Sequence, residues 1–223
     1  TQENASLNHL ALMSSTKISL GKSEFKIIYF GQIIEREIPS GFLESPSSAF
    51  QNDVNNRIFS SLKHRFSNSY VQFKSAYYDE KNTYTYSVRS IFGNNPCKTF
   101  INQIDFSKSI NNFNILKINL TNSLASSNGN NYLGKAEINR TSITGSYKLN
   151  NPKYRLKHLI TSSVLFDDKN LSPLTFSYSL KREFYNNFNL YFNAGKVYRF
   201  PTINDLFWNP GGNIDLLPEK GYT

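Results

Sequence analysis

Alternation at a period of two residues runs through most of this chain, and it excludes more folds than any other feature of the sequence. A strand points successive side chains to opposite faces, so strict apolar and polar alternation describes a strand with one greasy and one wet face. From Leu174, the stretch LTFSYSLKR sets Leu174, Phe176, Tyr178 and Leu180 against Thr175, Ser177, Ser179 and Lys181. From Phe188, FNLYFNAGKVYRF sets Phe188, Leu190, Phe192, Ala194, Tyr198 and Phe200 against Asn189, Asn193 and Arg199, with Lys196 breaking the apolar side near its end. Weaker copies put Leu116, Ile118 and Leu120 opposite Lys117, Asn119 and Thr121, and Val71, Phe73 and Tyr77 opposite Gln72 and Lys74. The segment from Tyr132 to Leu149 changes phase near Ser142, which predicts a bulge.

The connections alternate in length. Short turns read as GKSE (Gly21 to Glu24), FSNS (Phe66 to Ser69), SINN (Ser109 to Asn112), LNNP (Leu149 to Pro152) and FYNN (Phe184 to Asn187), rich in the residues that favour tight reversals. Between them lie longer polar connections: Ile38 to Asn52, Lys81 to Lys98, Ser123 to Asn131, Asp167 to Ser172 and Pro201 to Pro218. The reading is about ten antiparallel strands in up-and-down order, at roughly residues 10–20, 25–37, 53–65, 70–80, 98–108, 113–122, 132–148, 154–166, 173–183 and 188–200.

Strands of about 10–13 residues, apolar on one face, with short turns at one end and long loops at the other, describe an all-β transmembrane barrel wall whose apolar face meets lipid. A soluble sandwich or lipocalin-like barrel shows similar alternation with the burial reversed, and with strands nearer five or six residues. The longest apolar run, Ile27 to Ile34, is well short of the roughly 18–20 residues of a membrane-spanning helix.

Composition removes other classes. With 223 residues the chain is one large domain or a piece of something larger. Its aromatic content of 15% argues against disorder. A single cysteine, Cys97, rules out an internal disulfide framework, and His9, His64 and His158 stand too far apart for a short-range metal pair. The net charge of +9 comes from scattered Lys and Arg with no run of four, so nucleic acid is not the expected partner. No GxSxG, HExxH, P-loop or dinucleotide fingerprint is present, so no catalytic residue and no cofactor is expected.

Ala194 to Lys220 reads AGKVYRFPTINDLFWNPGGNIDLLPEK. Tyr198, Arg199, Pro201, Thr202, Leu206, Phe207, Gly212, Asn213, Leu216, Pro218, Glu219 and Lys220 fall at the positions of a segment typical of TonB-dependent outer-membrane receptors, which this chain resembles. The likeness is greatest to vitamin B12 and ferric-siderophore members; Ile214 stands where that pattern commonly has Pro. Matches elsewhere, such as EREIPSGF, are looser.

The resemblance implies a bacterial outer-membrane location, a barrel of about 22 strands around a plug, and uptake of a scarce chelate driven by TonB. On that basis residues 1–223 are expected to be the middle of a receptor barrel, with the plug domain and remaining strands elsewhere. TonB acting through the plug, outer-membrane lipid and lipopolysaccharide, and a small-molecule chelate are the implied partners. The resemblance also implies that the motif folds over the outer rim, where Arg199, Glu219 and Asn213 serve the rim's structure. Pro201 is expected to end its strand, and Gly211, Gly212 and Asn213 to reverse the chain. Arg199 and Glu219 are expected to pair across the loop base. Trp208, the only Trp, is the one candidate for stacking on ligand, its alternative being an interfacial anchor.

A complete ten-stranded outer-membrane barrel of structural or adhesive role is the other reading of the same pattern. Asp167 and Asp168 stand in an expected outer loop, either as Ca²⁺ ligands or, beside Lys169, as a solvated turn. Glu35, Arg36 and Glu37 before Pro39 either line the outer mouth or end a strand in solvent.

Overall fold

The computed structural model describes residues 5–39, 49–87, 90–132, 134–168, 170–184 and 188–223. Ten long strands follow one another: β1 (Leu7–Leu20), β2 (Ser23–Ile38), β3 (Ala49–Arg65), β4 (Ser69–Tyr86), β5 (Ile91–Ser109), β6 (Asn114–Ser127), β7 (Ala136–Asn151), β8 (Leu156–Asp167), β10 (Thr175–Glu183) and β11 (Asn189–Arg199). Two short strands accompany them, β9 (Asn170–Leu171), which pairs with β8, and β12 (Glu219–Tyr222), which pairs with β11. All pairings are antiparallel between sequence neighbours, apart from β8 with β10 across β9, and no pairing joins β1 to β11 or β12. The fold is an all-β up-and-down sheet of barrel-wall type, open at its two edges among the described residues.

The register shows why the alternation is so strong. Ile18, Phe25, Leu62, Phe73, Ile104, Leu120, Ile143 and Val164 lie opposite one another from β1 to β8, one unbroken apolar row. One residue along, on the other face, the row reads Ser19, Glu24, Lys63, Gln72, Asp105, Asn119, Thr144, Ser163 and Thr175 without an apolar member. A slip of one residue in any strand would interleave the two faces.

The burial is inverted relative to a water-soluble domain. Leu62, Phe73 and Ile104 are 51%, 43% and 44% exposed, and among the described residues no large side chain is fully buried. Among the described residues no protein layer covers the apolar face. On the polar face, carboxylates take basic partners instead. Asp105 takes Lys74 at 2.8 Å, Gln103 at 2.9 Å and Asn119 at 2.7 Å; Asp53 takes Arg36 at 3.3 Å and Asn82 at 2.5 Å; Arg57 holds Glu80 at 2.6 Å. Such networks hold charged groups in place on a face that water can reach.

One end of the sheet carries connections of two to five residues and the other carries connections of four to nineteen. Gly21, at φ 55, opens the two-residue β1–β2 loop, where a first residue in the left-handed region matches the strand twist. Residues 185–187 of the expected FYNN turn, 40–48 of the first outer connection (which include the last three residues of the EREIPSGF loop) and Lys169 lie outside the described residues.

Three sequence expectations need correction. Lys81 to Lys98 is no long loop: β4 and β5 pair without a break up to Tyr86 and Ile91. Pro96 is tolerated because it lies just past the last β5–β6 pair, Cys97 with Ser127, where β5 has become an edge. The bulge near Ser142 is absent, since β7 pairs one to one with β6 and β8 through that point. The phase change arises because Ala136 and Ile138, 0% and 8% exposed, belong to the polar face at the end of the sheet, where Ile138 lies beside the segment after β11. Finally, that segment is not all loop. It opens with one helical turn, α1 (Ile203–Phe207).

Candidate functional site

The segment between β11 and β12 starts where Pro201 ends the strand, since it has no N–H for the ladder. Thr202 and Asp205 then form a reciprocal cap: the Asp205 N–H donates to the Thr202 hydroxyl at 3.2 Å and the Thr202 N–H donates to the Asp205 carboxylate at 2.7 Å. The Thr202 backbone donor, with its hydroxyl second and Arg199 third among the favourable causes, holds the Asp205 carboxyl below the usual aspartate range against a smaller opposing desolvation.

Arg199, the last residue of β11, donates through Nε and Nη2 to the two carboxylate oxygens of Glu219, at 2.9 and 2.7 Å. The two residues are also a direct cross-strand pair. A planar fork on a carboxylate fixes orientation as well as distance. Asp205 stands 3.7 Å from the same guanidinium. The base of the loop is therefore closed by a cation between two carboxylates.

Asn213 brings the chain back. Its N–H donates to the Asp205 carbonyl at 2.9 Å and its side chain accepts from the Asp215 N–H at 2.9 Å. Gly212 approaches the helical turn so closely that a Cβ would stand 2.5 Å from the Trp208 nitrogen and 2.7 Å from its oxygen. Only glycine fits there without a backbone shift.

One arginine-centred cluster and one aromatic pair tie this segment to the rest of the chain. Arg140 of β7 donates to the Pro201 carbonyl at 2.5 Å and to Asp167 at 2.9 Å, and its guanidinium lies 5.5 Å from the Phe200 ring centre. Trp208 pairs with Tyr132, edge to face at 5.6 Å and 88°, while the Tyr132 hydroxyl donates to Asn204 at 2.6 Å. Burial, more than the nearby Cys97, pushes the Tyr132 phenol above its usual range. The Tyr198 ring packs edge to face on Phe200, which is 4% exposed.

A cleft of about 500 Å³ remains between this segment and the β8–β9 hairpin, a size in the range of small-molecule sites. Leu206, Phe207, Tyr198 and Pro218 give it an apolar wall, and Asp168 and Asp215 lie at its polar side. Trp208 does not line this cleft; its ring is engaged by Tyr132. The Phe207 ring, one residue earlier, faces the cleft. Sequence reasoning missed it because a lone Trp draws attention that a Phe among 18 does not. The Thr202 to Asp205 spacing was the signal for α1.

Asp167 is neutralised by Arg140, and Asp168 accepts the Asn139 N–H at 3.3 Å. Among the described residues no group of three or more His, Cys, Asp or Glu side chains converges on a point. At the same end of the sheet, Arg36 pairs with Asp53 from the polar face, while Glu37 accepts the Ser6 N–H at 3.1 Å.

No protein-family model and no curated protein matches the chain. Among solved structures, the translocator domain of the autotransporter NalP from Neisseria meningitidis is similar at 13% identity, over 85% of this chain and 80% of that one, with a TM-score of 0.34.

Proposed function

We propose that this chain is part of the barrel wall of a TonB-dependent receptor in a bacterial outer membrane, one that takes up a scarce chelate such as cobalamin or a ferric siderophore. The observation that carries the reading is the rim motif. Arg199, Thr202, Gly212, Asn213 and Glu219, five of the residues on which the resemblance rests, meet with Asp205 in one hydrogen-bonded cap at the long-loop end of the sheet. The exposed apolar face and the polar face with its ion pairs support a lipid-facing exterior and an aqueous interior.

In this reading the protein binds and admits its cargo without chemical conversion. Lipid and lipopolysaccharide contact the apolar band, and the chelate enters past the rim cleft. TonB acts through a plug encoded outside residues 1–223, and nucleic acid has no part.

The test is uptake. Cells of the source organism with the gene deleted are supplied with radiolabelled cobalamin or a panel of ferric siderophores at nanomolar level. The expected result is loss of uptake of one ligand, restored by the gene and abolished by a protonophore. Unchanged uptake of every ligand would refute the receptor reading.

A further inference from the structure

Near the short-turn end of the sheet, the polar face holds an electrostatic arrangement that the rim motif does not use. Lys117 of β6, Lys148 of β7, Lys157 of β8 and Lys181 of β10 all line one cleft of about 440 Å³. The register puts all four on the polar face, and it sets Lys157 directly opposite Lys181.

Like charges in a direct cross-strand pair repel, so this placement is unfavourable by itself. Glu183 relieves part of it, accepting from Lys157 at 2.7 Å and from Lys181 at 2.9 Å. That single carboxylate serves two ammonium groups. Among the described residues Lys117 and Lys148 make no ion pair, and the nearest acid along the face, Asp105, is already held by Lys74, Gln103 and Asn119. Elsewhere on this face the acids are matched; Asp53, Glu80 and Asp105 each have a basic partner. The positive charge is concentrated here, with four ammonium groups to one carboxylate, and it coincides with a concavity. Hydroxyl donors on the same wall, Thr161 and Ser179, supply directional hydrogen bonds to an oxyanion.

We propose that this cleft is a binding site for a small multivalent oxyanion, of the polycarboxylate or phosphate class. Lys117 and Lys148 are its main charge contacts, and the Lys157–Glu183–Lys181 bridge forms its preorganised wall. The cleft volume suits a small molecule, and charge complementarity requires the occupant to be anionic. The site depends on the polar face being open to water, so if the protein is a TonB-dependent receptor it requires that the plug leave this cleft uncovered.

The experiment uses the full-length protein purified from its native membrane in micelles of a neutral detergent. Citrate and pyrophosphate are titrated calorimetrically at constant ionic strength, with chloride as the reference salt and an oligo-glutamate peptide as a third ligand. Saturable binding of citrate or pyrophosphate is expected, weakened at least tenfold in Lys117→Gln/Lys148→Gln and restored towards wild type in Lys148→Arg. Lys63→Gln, on the same face but outside the cleft, should leave binding unchanged. A second measurement needs no variant: the bound anion should protect Lys117 and Lys148 of the wild-type protein from acetylation, read by mass spectrometry. Absence of saturable binding, or binding without protection of these two lysines, would overturn the proposal. Tight binding of oligo-glutamate that neither citrate nor pyrophosphate displaces would overturn it in favour of an acidic polypeptide occupant.

Discussion

Gly212 and Asp205 decide the shape of the rim cap for different reasons, one steric and one electrostatic. At Gly212 a methyl group would stand 2.5 Å from the Trp208 nitrogen, backbone that cannot move aside as a side-chain tip can. Gly212→Ala is therefore expected to open the turn and free Trp208 from Tyr132. Trp208 is the only Trp of residues 1–223, so the emission lost in a Trp208→Phe control reports this loop; a red shift and stronger acrylamide quenching of that emission are expected, and an unchanged spectrum would show that the close approach is relaxed in solution. Asp205 gives a pH test. Its carboxyl is depressed when folded, chiefly by the Thr202 backbone donor, so its contribution is present above the ordinary aspartate value of about 3.9 and is lost as pH falls through the folded value. Trp208 emission should stay constant from neutral pH to about 4 and change only below it, and Asp205→Asn should remove that transition. Of these contacts, the Arg199–Glu219 pair was open to sequence reasoning, because a strand exit and a strand entry of opposite charge bracket one loop. The Trp208–Tyr132 pair was not, since 75 intervening residues separate partners that only the folding of the β11–β12 segment onto the β6–β7 connection brings together.

At the scale of the element, the two faces of a strand predict opposite outcomes for the same substitution at neighbouring positions. Phe176 and Ser177 lie side by side in β10, with Phe176 on the apolar face and Ser177 on the polar one, opposite Ser162 and Thr161. In lipid vesicles Phe176→Arg is expected to destabilise the protein by roughly 2–4 kcal/mol if it lies near the bilayer midplane, falling towards zero at the interface, with Leu180→Arg on the same scale. Ser177→Arg should be milder, because its side chain enters water. Equal unfolding free energies for the two neighbours would remove the basis of a lipid-facing surface. Strands with this alternation were legible because side-chain period alone fixes their faces. Their ends were not. β4 and β5 run on through Asn82, Asn94 and Asn95, residues that read as turn formers, because cross-strand pairing outside the apolar band outweighs local preference. The phase change in β7 had a tertiary cause: the buried Ile138 lies on the polar face beside Phe200 and Pro201, more than 60 residues away in sequence.

At the scale of the whole molecule, the asymmetry of the connections orients everything else. Bacterial outer-membrane barrels keep short turns on the periplasmic side and longer loops outside. Here the β1–β2 turn has two residues, while the segment between β11 and β12 has nineteen and folds into the cap. If the sheet spans the outer membrane, the cap and its cleft face the exterior and the lysine cleft lies towards the periplasm. Asn209 is exposed, next to Trp208 at the outer surface of the cap, which makes it a reporter of side. With Cys97→Ser removing the native thiol, Asn209→Cys in intact cells should react with a membrane-impermeant maleimide, and permeabilising the outer membrane should add little. A cysteine placed in the short β1–β2 turn, Lys22→Cys, should behave in the opposite way. The pair of sites makes the assay internally controlled, because loss of folding would expose both thiols alike. Labelling at Asn209→Cys only after permeabilisation, with Lys22→Cys reactive in intact cells, would invert the protein and place the lysine cleft, rather than the capped rim, where an external ligand arrives first.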